Sequence, residues 1–557
     1  MNKIFRNLSL MLVAGTITVA CADYNVTDNF TAEPDPTYVE PYKDLGPVKS
    51  YLNREQHPNM SLGALLKVAD FNKQELIHAA AITNFDDVAF GTSLMSGKII
   101  NEKGVMNFLD MMDLLDHVEE IGGTVYGSPI VANANQADAW LKTLTAPIEI
   151  PVDPIHDMTV DYTTMEEFTG TVIAKGSGST PGIEKNYDGG QNALRLPKRS
   201  KVYIVEGFDV DPLGEYTVTF NAKVDKDETI VCTFSDNKIM EDEKNTKKFV
   251  IKAGKWQKVV VESKPAEGAT YGYLMTEGNL NSIVYIKDVT VVHNPDNHRP
   301  QTAQEKNDTI KYALNAWCDG LMKINAGRIK TFDLIEEPID SKSILDNGMY
   351  NLKKGTDDQI FWQDALGNEN YAPVVSEVAK SAFANHEGDP AELKFFICES
   401  GLADAKKMES LMYWIGIWDA KGAKIDGINA KLSLTYSEDA EKQAANIASI
   451  DNLLDELAKT GKLIRLSNFD IKYQNVEGLN VAASDITEAQ RQKLADYYGY
   501  VIKSYMKKIP NEKQAGICKG NMADTSDPVG LWAIDSYTKD WVRTATYKAF
   551  CDALQGE

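Results

Sequence analysis

The chain has 557 residues, too many for one ordinary domain and enough for two hydrophobic cores. Hydrophobic residues make up 43% and charged residues 25%, the proportions of a globular protein. The net charge of −23 argues against nucleic acid as a partner, because a phosphate backbone would be repelled, and leaves neutral or basic ligands open. With 8 Trp and 24 Tyr the aromatic content suits sugar stacking as well as core filling.

Residues 1–21 read as a targeting signal. Lys3 and Arg6 precede an apolar run from Leu8 to Ala20, too short to span a membrane as an ordinary helix. The run ends in TVAC at Cys21, which looks like a bacterial lipobox whose cysteine is acylated and becomes the new N-terminus. Thr18 departs from the large apolar residue usual there, and an ordinary signal peptide with an incidental cysteine is the plainer alternative. Residues 22–45 are rich in Asp, Glu, Pro, Thr and Asn and read as a tether. The expected location is the outer membrane, at the cell surface, held by a lipid anchor.

Residues 46–150 alternate between apolar strands and amphipathic helices. SLGALLK from Ser61, DDVAFGTS from Asp86 and TVYGSPIVA from Thr124 read as strands. Between the last two, Phe108, Met111, Leu115 and Val118 recur at helical spacing. Strands that alternate with helices predict a parallel sheet with crossover connections. The pattern breaks near Pro147. Residues 151–298 show no helix but a series of short strands, among them KVYIVEGF, EYTVTFNAKV, TIVCTFS, KKFVIKAGKWQKVVVES, TYGYLM and SIVYIKDVTVVH. This predicts an all-β, jelly-roll-like sandwich. Within it Trp256 reads as core, whereas Tyr271 and Tyr273 are sugar-stacking candidates near a loop.

From 299 to 557 the alternation resumes. TAQEKNDTIKYALNAWCDGLMKI is a helix, RIKTFDLIEE a strand, and LKFFICES, AKIDGINAKLSL, KLIRLSNFDI and AGICKGN follow with helices between. TEAQ at Thr487 to Gln490 fits a capping box. Three strands before the insert and five after make a (β/α)8 TIM barrel, interrupted in the loop after strand three, with active-site loops expected at the C-terminal strand ends. The five cysteines after Cys21 lack any CxxC pair, so they read as buried small hydrophobes rather than zinc ligands. No metal and no cofactor is called for.

The order and spacing of several segments resemble glycoside hydrolase family 10, the retaining endo-β-1,4-xylanases, in the form found in Bacteroidetes with an inserted carbohydrate-binding sandwich. GVMNF is similar to the family's G-x-F-N-F, KTFDLIEEP to W-D-V-V-N-E-P, KIDGINAKLSLTY to I-D-G-I-G-x-Q-x-H, and KLIRLSNFDI to the strand bearing S/T-E-L-D. The resemblance implies a polysaccharide ligand, with xylan as the inherited one. It puts Glu337 at the acid/base position and Asn468 at the nucleophile position. Retaining cleavage needs two carboxyl groups about 5–5.5 Å apart, and an amide is too poor a nucleophile to replace one.

The departures extend around the same subsite. Glu336 stands where the family has Asn, and Lys431 and Ser433 replace its Gln and His on strand six. Ser128, Ala132 and Asn133 replace the third-strand His, Trp and His, and Met95 takes the place of a Lys. A family Trp aligns near Gly520, and Trp532 either lines the cleft or packs beneath it. Blander readings are a solvated charge run for Glu336 and Glu337 and a turn-former for Asn468. Together the changes imply a cell-surface polysaccharide-binding lipoprotein, a pseudoenzyme partnered by proteins of a glycan-uptake system. The alternatives are an active endo-1,4-β-xylanase in which Glu399, Asp470 or Asp535 supplies the missing carboxylate, and a purely structural subunit.

Overall fold

The computed structural model describes residues 41–556 apart from 176–178, 237–245, 267, 296–297, 357–358 and 536–539. The leader with Cys21 and most of the tether lie outside the described residues. The chain forms two compact units, one built from the segments ending at Thr145 and resuming at Thr302, the other from Ala146–Gln301.

The first unit opens with β1 (Ser61–Leu65), α1 (Leu76–Asn84), β2 (Asp87–Ala89), α2 (Leu109–Glu120), β3 (Thr124–Tyr126) and β4 (Val131–Ala132). Helix α2 buries Met111, Leu114, Leu115 and Val118. That is one apolar stripe at helical spacing, and each such side chain contributes roughly 1.5–3 kcal/mol on burial. TVYGSPIVA is not one strand but two. The interruption holds Gly127, at which a Cβ would lie 2.2 Å from the Phe332 ring, and Pro129, which has no N–H for the ladder.

The second unit contains β5 (Ile155–Val160), β6 (Val172–Ala174), β7 (Gly182–Asp188), β8 (Gln191–Leu196), β9 (Lys201–Asp209), β10 (Glu215–Val224), β11 (Glu228–Asp236), β12 (Thr246–Ile251), β13 (Gln257–Ser263), β14 (Tyr271–Thr276) and β15 (Val284–Asn294). They form two antiparallel sheets, β12-β11-β14-β9-β6 and β13-β10-β15-β8-β7, with β5 added alongside β15. The core between them includes Ile204, Phe220, Phe234, Leu274 and Val291. KKFVIKAGKWQKVVVES is divided at Gly254 (φ +83°), where Ala253 N–H donates to Asp227. Trp256 lies outside this core. It is half-buried among Tyr187, Lys223 and Lys287, so the sequence reading of it as core is corrected. The ends of the insert meet, because His298–Arg299 pairs with Ile148–Glu149.

The first unit then continues with α3 (Ala303–Asn325), β16 (Thr331–Glu336), α4 (Tyr371–Asn385), β17 (Lys394–Ser400), α5 (Ala405–Ala420), β18 (Gly427–Ser437), α6 (Ala440–Lys459), β19 (Leu463–Gln474), α7 (Glu488–Lys508), β20 (Gln514–Lys519) and α8 (Ala545–Gln555). Thr487 and Gln490 form the capping box of α7. The strand order β3-β2-β1-β20-β19-β18-β17-β16-β4 is parallel throughout. The ring closes because Gly127 N–H donates to Thr331 O at 2.8 Å and β4 pairs with β16. This is a (β/α)8 barrel, its third strand shared between two neighbours. Cys232, Cys318, Cys398, Cys518 and Cys551 are all buried and unpaired.

Candidate functional site

The C-terminal strand ends surround a cavity of about 550 Å³, within the range of small-ligand sites. Its floor is polar. Tyr126 OH donates to Asp333 Oδ1 at 2.7 Å, and Asn429 Nδ2 donates to both carboxylate oxygens at 3.1 and 3.0 Å. Burial lifts the Asp333 carboxyl to about 7. Below it, Arg465 forms a buried two-pronged pair with Asp87 at 2.7 and 3.1 Å and lies 4.0 Å over the Tyr126 ring.

Strand β19 brings Asn468 to the cavity wall by a bulge. Lys431 pairs with Ser467 and Ser433 with Asp470, so β19 carries one more residue than β18 across this step. The same offset recurs against β20 between Leu466 and Phe469. Asn468 takes up the surplus at φ +49°. Such bulges re-aim a side chain at the rim of a barrel, and Asn is one of the few residues that enters the left-handed region readily. Glu337, at the end of β16, also has positive φ, +47°, and precedes Pro338. Its N–H donates to Cys398 O at 2.7 Å, and its carbonyl accepts from Asn133 Nδ2 at 3.2 Å. These contacts hold a conformation that costs of order 1–3 kcal/mol.

Lys431 governs the electrostatics. Its Nζ lies 2.5 Å from Glu336 Oε1 and 3.2 Å from Glu337 Oε1. Burial alone would depress the ammonium, but the surrounding negative charge outweighs it and holds the pKa above the ordinary value. Burial acts to raise the Glu337 carboxyl. Lys431 and Lys353, the latter 3.5 Å away, outweigh that effect and leave it below the usual range. A general acid for a leaving oxygen must be protonated at working pH, so this shift runs against that role.

Glu336, Lys431, Ser128 and Asn468 line the cavity, and Ser128 Oγ donates to Gly91 O at 2.8 Å. Glu337 stands beside these residues, its Oε1 3.2 Å from the lining Lys431 and its Oε2 3.5 Å from Lys353. Ser433 is exposed and off the lining, and Met95 is buried. Trp532 packs beneath, against Tyr547 and Trp541, and Trp541 lines the cavity in its place. The substitute carboxylates are also elsewhere. Glu399 is wholly buried on Lys407 at 2.8 Å and on the Ile339 amide. Asp470 is held by buried Lys519 and by Asn521 Nδ2 at 2.6 Å. Asp535 lies beyond the lining residue Ile534. Gly520 leaves room for Asp470, whose Oδ2 would be 2.5 Å from any Cβ there. Sequence reasoning missed Asp333, Arg465 and Trp541. The first two sit at inward-facing positions of recognised strands, which is the signal that was there to use.

A parallel (β/α)8 barrel with a polar cavity at the C-terminal strand ends is the architecture of many enzymes. Comparison narrows this. Residues 290–527 match the model of Glycosyl hydrolase family 10. No curated protein sequence matches. Among solved structures, xylanase B from Clostridium stercorarium F9 aligns with a TM-score of 0.50 at 10% identity, over 91% of this chain and 100% of its own. The endo-1,4-beta-xylanase from Caldicellulosiruptor owensensis gives a TM-score of 0.50 at 10% identity over the same shares. A GH10 endoxylanase from a sugarcane soil metagenome gives 0.50 at 9% identity, over 91% of this chain and 99% of its own. At these identities the likeness is one of fold.

Proposed function

We propose that the barrel binds a polysaccharide chain, xylan being the first candidate, without cleaving it. The observation that carries this reading is the pairing of an amide at the bulge of β19 with a lysine that forms ion pairs to both Glu336 and Glu337. Retaining cleavage needs one carboxyl group as acid and a second as nucleophile. Among the described residues only Asp70, Asp333 and Glu336 bring carboxyls to the cavity lining. Asp70 pairs with Lys73 at 3.0 Å, Asp333 is occupied by Tyr126 and Asn429, and Glu336 by Lys431. A cavity whose lining carboxyls are already paired suits a neutral, hydroxyl-rich ligand. The lipobox-like TVAC supports attachment to the outer membrane through Cys21, with a glycan-uptake system as partner.

Reducing-sugar release from xylan and other β-glycans, measured beside binding on one preparation, tests the reading. The expected result is binding without release. Release that Glu336→Gln or Glu337→Gln abolishes would overturn it and establish a hydrolase.

A further inference from the structure

A second cavity, of about 260 Å³, opens at the other end of the barrel, among the N-terminal strand ends. Ser61, Asp87, Thr124, Thr331 and Lys394 each open a strand and line it. Two residues on from three of them come Ala89, Tyr126 and Asp333, which line the upper cavity, so these positions share the inward face. Inward positions of such a barrel are mostly filled by bulky apolar side chains. Here the lowest layer is short or polar.

The charge at this mouth runs against that of the chain, which is −23 overall. Arg328, Lys330, Lys394 and Arg465 line the cavity, and Asp87 is the one carboxylate among the described lining residues. Asp87 is already paired with Arg465 at 2.7 and 3.1 Å, and Ser61 Oγ donates to it at 2.5 Å.

The other three cations are less committed. Arg328 is pinned by the carbonyls of Ile324 and Asn325, at 2.9 and 3.2 Å. Its partners Asp116 and Glu119, and Glu392 on Lys330, lie off the lining with side chains 68%, 72% and 51% exposed. Pairs this exposed contribute little, so a competing anion can displace them. Lys394 has no hydrogen-bond or ion-pair partner for its ammonium among the described residues. Nor has the hydroxyl of Thr331, which stands opposite Lys394 in the register of β16 and β17.

We propose that this lower mouth binds a phosphoryl group, as inorganic phosphate or a small phosphomonoester. The oxyanion takes charge-assisted hydrogen bonds from Lys394 and Lys330 and faces the fixed Arg328 guanidinium, with the Thr331 hydroxyl as a neutral donor. A carboxylate, with one charge, would match less of this set. The site lies beyond the layer of Tyr126 and Arg465, which line both cavities. It therefore stands whether or not the upper cavity binds a glycan.

The test is calorimetry on the full chain in a phosphate-free buffer. The probes are inorganic phosphate, glycerol 3-phosphate and acetate, with ionic strength held constant by sodium chloride. Saturable binding of a phosphate compound is expected. Lys394→Ala should weaken it by on the order of tenfold, and Lys330→Ala by a smaller factor of about two to five. Lys442→Ala, at the start of α6 on the opposite face of the barrel, should leave it unchanged. Lys394 is exposed, so its replacement should also leave the urea midpoint at the wild-type value. Preference for inorganic phosphate assigns the free ion and preference for glycerol 3-phosphate a phosphomonoester, and both support the site. No saturable binding of either overturns it, as does wild-type affinity in both Lys394→Ala and Lys330→Ala. Acetate bound as tightly as phosphate overturns the phosphoryl assignment.

Discussion

Asn468 and Glu337 share a left-handed backbone but not its cost. Asn occupies that region readily, whereas Glu does so only under constraint. Asn468→Glu should therefore lower stability by about 1 kcal/mol and still release no reducing sugar, since Lys431 continues to pair with Glu336 and Glu337. A chemical melt and a xylan assay on the same variant check both parts. Asp333 gives a pH signature. Its folded pKa of about 7 lies above the ordinary 3.8, so the native state keeps a proton that the unfolded chain releases. Stability is therefore full at low pH and declines as pH rises from about 4 to 7, at a limiting slope of about 1.4 kcal/mol per unit. In Asp333→Asn that slope should flatten relative to wild type, as read from urea midpoints across the range. The Asp87–Arg465 pair is buried on both sides. Asp87→Ala leaves a guanidinium unpaired inside the barrel and should cost about 3–5 kcal/mol, read by the same unfolding curves. This pair went unread because its members are far apart in the chain, although Arg465 stands alone between the apolar Ile464 and Leu466 of a recognised strand.

At the scale of elements, the insert is bounded by the short pairing of Ile148–Glu149 with His298–Arg299, which brings its ends together. Deleting Ala146–Gln301 and joining Thr145 to Thr302 through a short Gly/Ser linker should leave a barrel that melts cooperatively. Loss of a cooperative transition in calorimetry would count against that boundary. The barrel strands were legible because their apolar runs alternate with helices of clear periodicity. The capping box of α7 was legible because Thr487 and Gln490 interact locally. Strands β7 and β8 were missed, since KNYDGGQN is polar and its only signal is the turn at Gly189 and Gly190. The break between β3 and β4 was missed because its cause, the Phe332 ring, comes from another strand. Trp532 and Trp541 meet diagonally across the hairpin of Trp532–Ile534 with Trp541–Arg543, and only the hairpin's placement decides which one meets the cavity.

For the whole molecule, the lipobox reading yields a prediction of its own. Cys21→Ala should move the protein from the membrane fraction to the soluble fraction, and equal partitioning of mutant and wild type would sink the anchor. Fold class was the most legible property at this scale. Barrel periodicity runs through the whole sheet, whereas the placement of Glu337 depends on a strained turn that no periodicity encodes. The split third strand also bears on how the protein is made. Strands β1 to β4 leave the ribosome long before β16, to which Gly127 must bond for the ring to close. At roughly 5–20 residues per second, the intervening stretch keeps these strands waiting for on the order of ten seconds or more. The sandwich can finish folding in that interval while the half-built barrel still has open edges. Nascent chains are therefore most exposed to misassembly at this point, and holdase chaperones have most to offer before α3 and β16 arrive.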